Sequence, residues 1–138
     1  MSVKVVLDTN FLLLASIFRG DVFEELDNRI GRRTEKIVLK PVYHELKRLS
    51  TDGDFKTRNQ AETALQVIEQ GVLRVVDVDV GPSETVDELL ARVAVSWKCL
   101  VATNDRALRK RLVKSGVPVA YLRQRNRVEV RGGTYSLL

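Results

Sequence analysis

Along the chain, short apolar runs alternate with longer stretches in which apolar residues recur every three or four positions. The first run, Val3-Lys4-Val5-Val6-Leu7, is rich in β-preferring side chains and leads straight into Asp8. A near-continuous apolar strand signals burial on both faces, as in the middle of a parallel sheet. Asp8 would then stand at the sheet's carboxyl edge, where open α/β sheets place their chemistry. The other role open to such an aspartate is capping the helix that follows. Residues 9–18 are apolar nearly all round and predict a deeply packed helix. Asp21 reads as the N-cap of a short amphipathic helix with Val22, Phe23, Leu26 and Ile30 on one face, ended at Gly31, and residues 36–39 form a second strand.

Pro41 opens the next helix, with Val42, Leu46 and Leu49 inward and His44, Lys47 and Arg48 outward. Glu45 falls on the edge of that buried stripe, an unusual place for an ionised side chain without a partner. After a loop at 51–54, a long helix to about residue 70 turns Ala61, Ala64, Leu65 and Ile68 inward, and residues 73–78 make a third strand. The helix over 84–97 buries Val86, Leu90, Val93 and Trp97; the same angular count sends Glu84 and Glu88 to solvent and sets Asp87 toward Leu90 and Ala94. Residues 100–103 are a fourth strand that again runs into an aspartate, Asp105, on a helix side shared with Leu108 and Leu112. Residues 118–122 are a fifth strand, and the tail carries a short extended piece at 128–130. Strands alternating with helices predict an α/β three-layer sandwich around a parallel sheet, whose right-handed crossovers align every strand's carboxyl end along one edge. No repeat, linker or low-complexity segment divides the chain, so residues 1–138 are expected to form a single domain.

Composition changes this picture mainly through charge. Apolar residues at 44% and charged residues at 30% are ordinary for a folded domain. No apolar run is long enough to cross a bilayer, and the strand at the very start leaves no room for a signal peptide, so a cytoplasmic protein with no membrane partner is expected. The net charge is +5 with a pI near 9.6. From Arg106 onward come Arg109, Lys110, Arg111, Lys114, Arg123, Arg125, Arg127 and Arg131 against one acid, Glu129. Such a run suits a polyanion such as nucleic acid, and also a solvated, charge-rich surface.

Several chemistries are struck out. There is no Gly-rich phosphate loop, and the one histidine, His44, lies on an outward helix face, which excludes paired-imidazole catalysis within a chain. Cys99 has no second cysteine to bridge and reads as a small core residue, and no Cys/His cluster suggests zinc. What remains is Asp8, Glu45, Asp87 and Asp105 at element boundaries. Brought together they would repel one another, and a divalent cation resolves that conflict; hard oxygen ligands select Mg2+ or Mn2+, which can activate water against a phosphodiester.

At these residues the chain resembles the PIN-domain nuclease family. Asp8-Thr9-Asn10 after a first strand, Glu45 within Val42-Tyr43-His44-Glu45-Leu46, Asp87 before Leu89-Leu90-Ala91, and Thr103-Asn104-Asp105-Arg106 after a fourth strand follow the family's pattern in order over nearly the whole chain. The likeness is greatest to archaeal single-domain members, both VapC-type toxins and PIN nucleases that trim pre-ribosomal RNA. It implies a sheet of about five strands in the order 3-2-1-4-5, a Mg2+- or Mn2+-dependent endoribonuclease activity and frequent assembly as a homodimer. Position by position, Asp8, Glu45, Asp87 and Asp105 match the metal-binding acidic quartet, Thr103 the small hydroxyl residue near the metal-bound water, and Asn10, with Thr9, the polar support beside the first aspartate. Many members carry a further acid two residues after the fourth-strand aspartate; Ala107 stands there in this chain, which bears on a second metal site. Under this reading Arg106, Arg109, Lys110, Arg123 and Arg125 hold an RNA backbone, and an antitoxin or a ribosome-assembly factor is the expected protein partner. The rival expectation is a catalytically weak RNA-binding or assembly factor that keeps the fold.

Overall fold

The structure is a computed structural model describing residues 3–18, 21–124 and 127–132. Val5, Val6 and Leu7 of β1 (Val3–Leu7) are wholly buried. The cause is lateral pairing combined with cover on both faces: β1 runs parallel to β2 (Thr34–Leu39) on one side and β4 (Leu100–Ala102) on the other. Alternate side chains divide between two cores. Val5 and Leu7 join the layer of α1 (Thr9–Ser16), α2 (Asp21–Ile30), α3 (Lys40–Asp52) and α4 (Phe55–Glu69), where Phe11, Leu12, Leu26, Val42 and Leu46 pack. Val6 joins Leu89, Leu90 and Val93 of α5 (Val86–Trp97) and Leu108 and Leu112 of α6 (Arg106–Lys114). The expected three layers are there.

The sheet has six strands in the order β3-β2-β1-β4-β5-β6, with β3 (Arg74–Val76), β5 (Val119–Arg123) and β6 (Arg127–Arg131) completing it. The order expected for the first five holds. The extended piece in the tail grows into β6, antiparallel to β5 from Val119↔Arg131 to Arg123↔Arg127. Arg125 lies outside the described residues.

Tertiary contacts move several boundaries. β3 stops at Val76 instead of running to 78, because its one neighbour β2 ends at the Leu39↔Val76 pair, where α3 begins. β2 starts at Thr34, earlier than the apolar pattern suggested: the Lys36 ammonium is buried but lies 3.1 Å from Asp27 Oδ1 of α2, and the same oxygen accepts from the Thr34 N–H at 2.9 Å. In α4, Val67 is buried while Leu65 and Ile68 are only partly so. α5 begins at Val86, and its buried stripe is Leu89, Leu90, Val93 and Ala94, with Val86 and Trp97 at the margin. Among the described residues no helix is long and apolar enough to cross a membrane.

The start of α5 is set by a capping box. The Glu88 N–H donates to Thr85 Oγ1 at 3.1 Å, and the Thr85 N–H donates to Glu88 Oε1 at 3.0 Å. Because this box orients the first turn that carries Asp87, Thr85→Ala should destabilise the protein by about 1 kcal/mol. Urea unfolding checks this; an unchanged midpoint would show that tertiary packing alone holds the turn.

Candidate active site

Asp8 directly follows β1 at the carboxyl edge of the sheet and is buried to 8% exposure. It occupies the N-cap position of α1, yet its side chain makes no capping bond. The carboxylate turns instead to the next strand, where the Thr103 hydroxyl donates to Asp8 Oδ2 at 2.6 Å. Thr103 has no exposed surface. Its oxygen in turn accepts the Asp105 N–H at 3.1 Å. One buried hydroxyl therefore joins the ends of β1 and β4 and fixes two of the predicted acids relative to each other. The same hydroxyl that was expected near a metal-bound water thus orients Asp8.

The surrounding polar groups fasten that link. Asn10 Oδ1 accepts the Asn104 N–H at 3.2 Å. Asn104 bridges to β5, its Nδ2 donating to the Leu122 carbonyl at 2.9 Å and its Oδ1 accepting the Leu122 N–H at 2.8 Å. Asn104 is the supporting residue that the sequence reading passed over; an Asn directly after a buried strand, where a side-chain amide can replace a missing strand partner, is the signal that could have found it. Thr9 is buried, and its hydroxyl has no hydrogen-bond partner among the described residues.

Asp105 combines the two roles weighed for Asp8: it is the N-cap of α6, accepting the Leu108 N–H at 3.1 Å, and it stands in the electrostatic neighbourhood of the other acids. Asp87, at the second position of α5, is mostly exposed. Its pKa is raised by loss of hydration and then by the Asp105 charge, with Arg111 opposing. Burial likewise pushes the Asp8 pKa up, against the Thr103 hydroxyl and the Thr9 N–H, and the Asp87 and Asp105 charges add to the rise. None of these three carboxylates takes part in an ion pair among the described residues.

Glu45 is placed differently. Its carboxylate is 38% exposed and 3.9 Å from Arg48, one helical turn on. The structure thus brings Asp8, Asp87 and Asp105 into one field and leaves Glu45 paired on its own helix. Among the described residues no group of three or more His, Cys, Asp or Glu side chains is close enough to hold a metal ion as it stands. In chemistry the set still fits a hard cation: a buried carboxylate raised by like charges, without a basic partner, is a donor set that a divalent ion would satisfy.

Two acids expected in solvent have partners. Glu84 precedes α5 and is held by Arg92 Nε at 2.8 Å and by the Gly81 N–H at 3.1 Å, which lower its pKa to about 2. Glu88 is half of the capping box. His44 is exposed, and burial lifts the Cys99 thiol to about 12, consistent with an inert core residue. Arg106, Arg109, Lys110 and Arg123 line one groove of about 1200 Å³, joined there by Arg111, Lys114 and Arg131.

Comparison with known proteins adds sequence and structural kinship. A family described as "PIN like domain" matches residues 5–125. Ribonuclease VapC4 of Methanocaldococcus jannaschii is 26% identical over 129 residues, covering 94% of this chain and 97% of that protein. Ribonuclease VapC9 of Archaeoglobus fulgidus is 30% identical over 125 residues, covering 91% and 87%. Among solved structures, the PIN domain endonuclease Utp24 superposes with a TM-score of 0.74 over 95% of each chain, at 23% identity.

The Asp8 environment sets a stability test. A carboxylate whose native pKa lies above its unfolded value binds more protons folded than unfolded between the two, so its ionisation costs stability as pH rises through that window. Asp8→Asn removes this cost while an amide oxygen can still accept from Thr103. In chelator at pH 7 the variant should melt at a higher temperature than the wild type, and the difference should disappear as pH falls toward 4, the region of the unfolded value. Thermal melts across that range check it; a lower melting temperature at pH 7 would show that the charge is compensated.

Proposed function

The chain belongs to the PIN-like domain family, and from that premise we propose that it is a divalent-metal-dependent endoribonuclease whose site is Asp8, Asp87 and Asp105, with Glu45 as the fourth donor and Mg2+ or Mn2+ as the cation. The observation that carries this reading is Asp8: a buried carboxylate, hydrogen-bonded by Thr103, lying in the field of two further aspartates with no basic partner. Two relatives that align along most of this chain bear the name ribonuclease, which supports RNA as the substrate. An antitoxin or ribosome-assembly factor as partner, a homodimer as the assembly and a cytoplasmic location belong to the same proposal.

When bound, the cation supplies an activated water and charge stabilisation for in-line attack on a phosphodiester, leaving 5′-phosphate and 3′-hydroxyl ends. The chain's own residues do the positioning. Thr103 holds the Asp8 carboxylate in one orientation through Oδ2, and Asn104 ties that loop to β5 so the β1 and β4 ends keep their relation. Asp105 is held at the α6 N-cap. Arg111, which opposes the rise in the Asp87 pKa, keeps a positive charge within reach of the site. The catalytically weak alternative has two features in its favour, Glu45 paired to Arg48 and Ala107 in place of a further acid.

A gel assay on single-stranded RNA with Mg2+ or Mn2+ against a chelator control decides between them; no metal-dependent product would sink the enzyme reading. Within that assay Asp87→Asn should lower cleavage by orders of magnitude. Glu88→Gln should change it less than about threefold, because glutamine can complete the capping box. Equal losses would place the wrong residue in the site.

Metal ligation needs ionised carboxylates, and those of Asp8 and Asp87 are raised. Activity should therefore fall with falling pH at values above the ordinary aspartate range of about 4. A rate profile measured at metal well below saturation tests this, because saturating metal displaces protons and draws the acid limb down; an acid limb at or below about 4 under those conditions would contradict the raised values.

A further inference from the structure

Resting on the ribonuclease reading, we propose that the groove along α6 is an exosite that grips the RNA backbone away from the scissile phosphate, and that Tyr121 is a positioning residue that holds Arg109 there. The groove starts beside the acids, since Arg106 follows Asp105 directly and Arg123 stands at the carboxyl end of β5. Its other end is set by Ser115, Val119 and Arg131, the last two paired across β5 and β6. Gly132, at φ +76°, lets the chain come close to α6 there; a Cβ on it would lie 2.8 Å from Val113 Cγ2. The nine residues of α6 span about 13 Å, the length of roughly four stacked nucleotides.

The charge arrangement points to a polyanion. Every charged side chain lining the groove is cationic. Elsewhere Arg29, Arg48, Arg74 and Arg92 each face a carboxylate within 4 Å, whereas the groove's cations enter no ion pair among the described residues. Cations gathered without counter-charge repel one another in the free protein, and a strand of phosphates removes that cost.

The aromatic contact explains why the groove should read backbone and not bases. The Arg109 guanidinium carbon lies 3.9 Å from the Tyr121 ring centroid, and that of Arg131 lies 5.9 Å away. The ring is only 7% exposed, so it offers no platform to a base. It holds the guanidinium plane in place, and the buried Arg109 Nε–H has no acceptor among the described residues. A planar, oriented fork suits phosphate oxygens and is not reproduced by lysine.

The test is binding of a fluorescein-labelled single-stranded oligoribonucleotide of mixed sequence, about twelve nucleotides long, measured by anisotropy in chelator across a salt series. Length is chosen to exceed the span of the groove. Lys114→Glu and Arg131→Glu should each weaken binding about tenfold and make the salt dependence shallower by close to one ion. Lys56→Glu, which makes the same charge change on α4 as Lys114→Glu does in the groove, should not. Arg109→Lys should weaken binding although the charge is kept. Tyr121→Leu should match it, and Tyr121→Phe should restore wild-type affinity. With metal present, the groove variants should raise KM for the long RNA and leave kcat unchanged.

Equal weakening by Lys56→Glu, or full affinity in Arg109→Lys, overturns the exosite. So does RNA affinity left unchanged by both Lys114→Glu and Arg131→Glu. The catalytic reading stands or falls separately. Groove-dependent binding by a wild type that never cleaves would sink the enzyme and keep the exosite; cleavage with groove-independent binding would do the reverse.

Discussion

Like charge at the carboxyl edge of the sheet is the constraint on which the rest of this structure depends. Asp8 is buried, its carboxyl is raised by burial and by two neighbouring aspartates, and one hydrogen bond from Thr103 offsets part of that cost. Such a group persists only if its surroundings leave it no way to turn toward water. The backbone supplies that rigidity: the Asp8 N–H donates to the Ala102 carbonyl at 3.0 Å, and the Thr103 N–H to the Ala120 carbonyl at 2.9 Å. The ladder that continues past the strand ends is what keeps the acids in register.

α6 connects the acidic edge to the basic groove. Its first turn is capped by Asp105, and its last carries Arg111 and Lys114, the sense in which charges complement a helix dipole. Its inward face, Leu108 and Leu112, anchors it to the second core. The outward face is thereby committed to the groove, with Arg109 lying over Tyr121. A single nine-residue helix thus sets the distance between the acids and the far end of the cationic track.

Much of the fold was legible because burial on both faces writes itself plainly: β1, β4 and β5 appear as nearly continuous apolar runs, while the strand order 3-2-1-4-5, expected from the family resemblance, was found. Boundaries were less legible wherever a side chain from another element decides them. β2 starts at Thr34 and not at Lys36 because Asp27 of α2 meets both of these residues. Glu84 left the helix for Arg92, so an angular count along α5 misplaced it. β6 was foreshadowed only as a short extended piece, since its partner is β5 and its inward contacts come partly from α2.

While the roles of Thr103 and Asn10 came from the family resemblance, the sequence pattern itself determined where chemistry could stand: acids that follow buried strands or sit at helix margins, and a cationic run from Arg106. Those follow from local composition and periodicity, which hydrophobic burial translates directly into position. Only the tertiary structure decided how they combine. It gave Asp8 to Thr103 instead of to a helix cap, recruited Asn104 as the tie to β5, and left Glu45 with Arg48. It also set seven of those cations, between Arg106 and Arg131, along one groove. The reason is physical: a hydrogen bond or a charge field depends on distances of a few ångströms between residues as far apart in sequence as 8 and 103, and no local pattern encodes them.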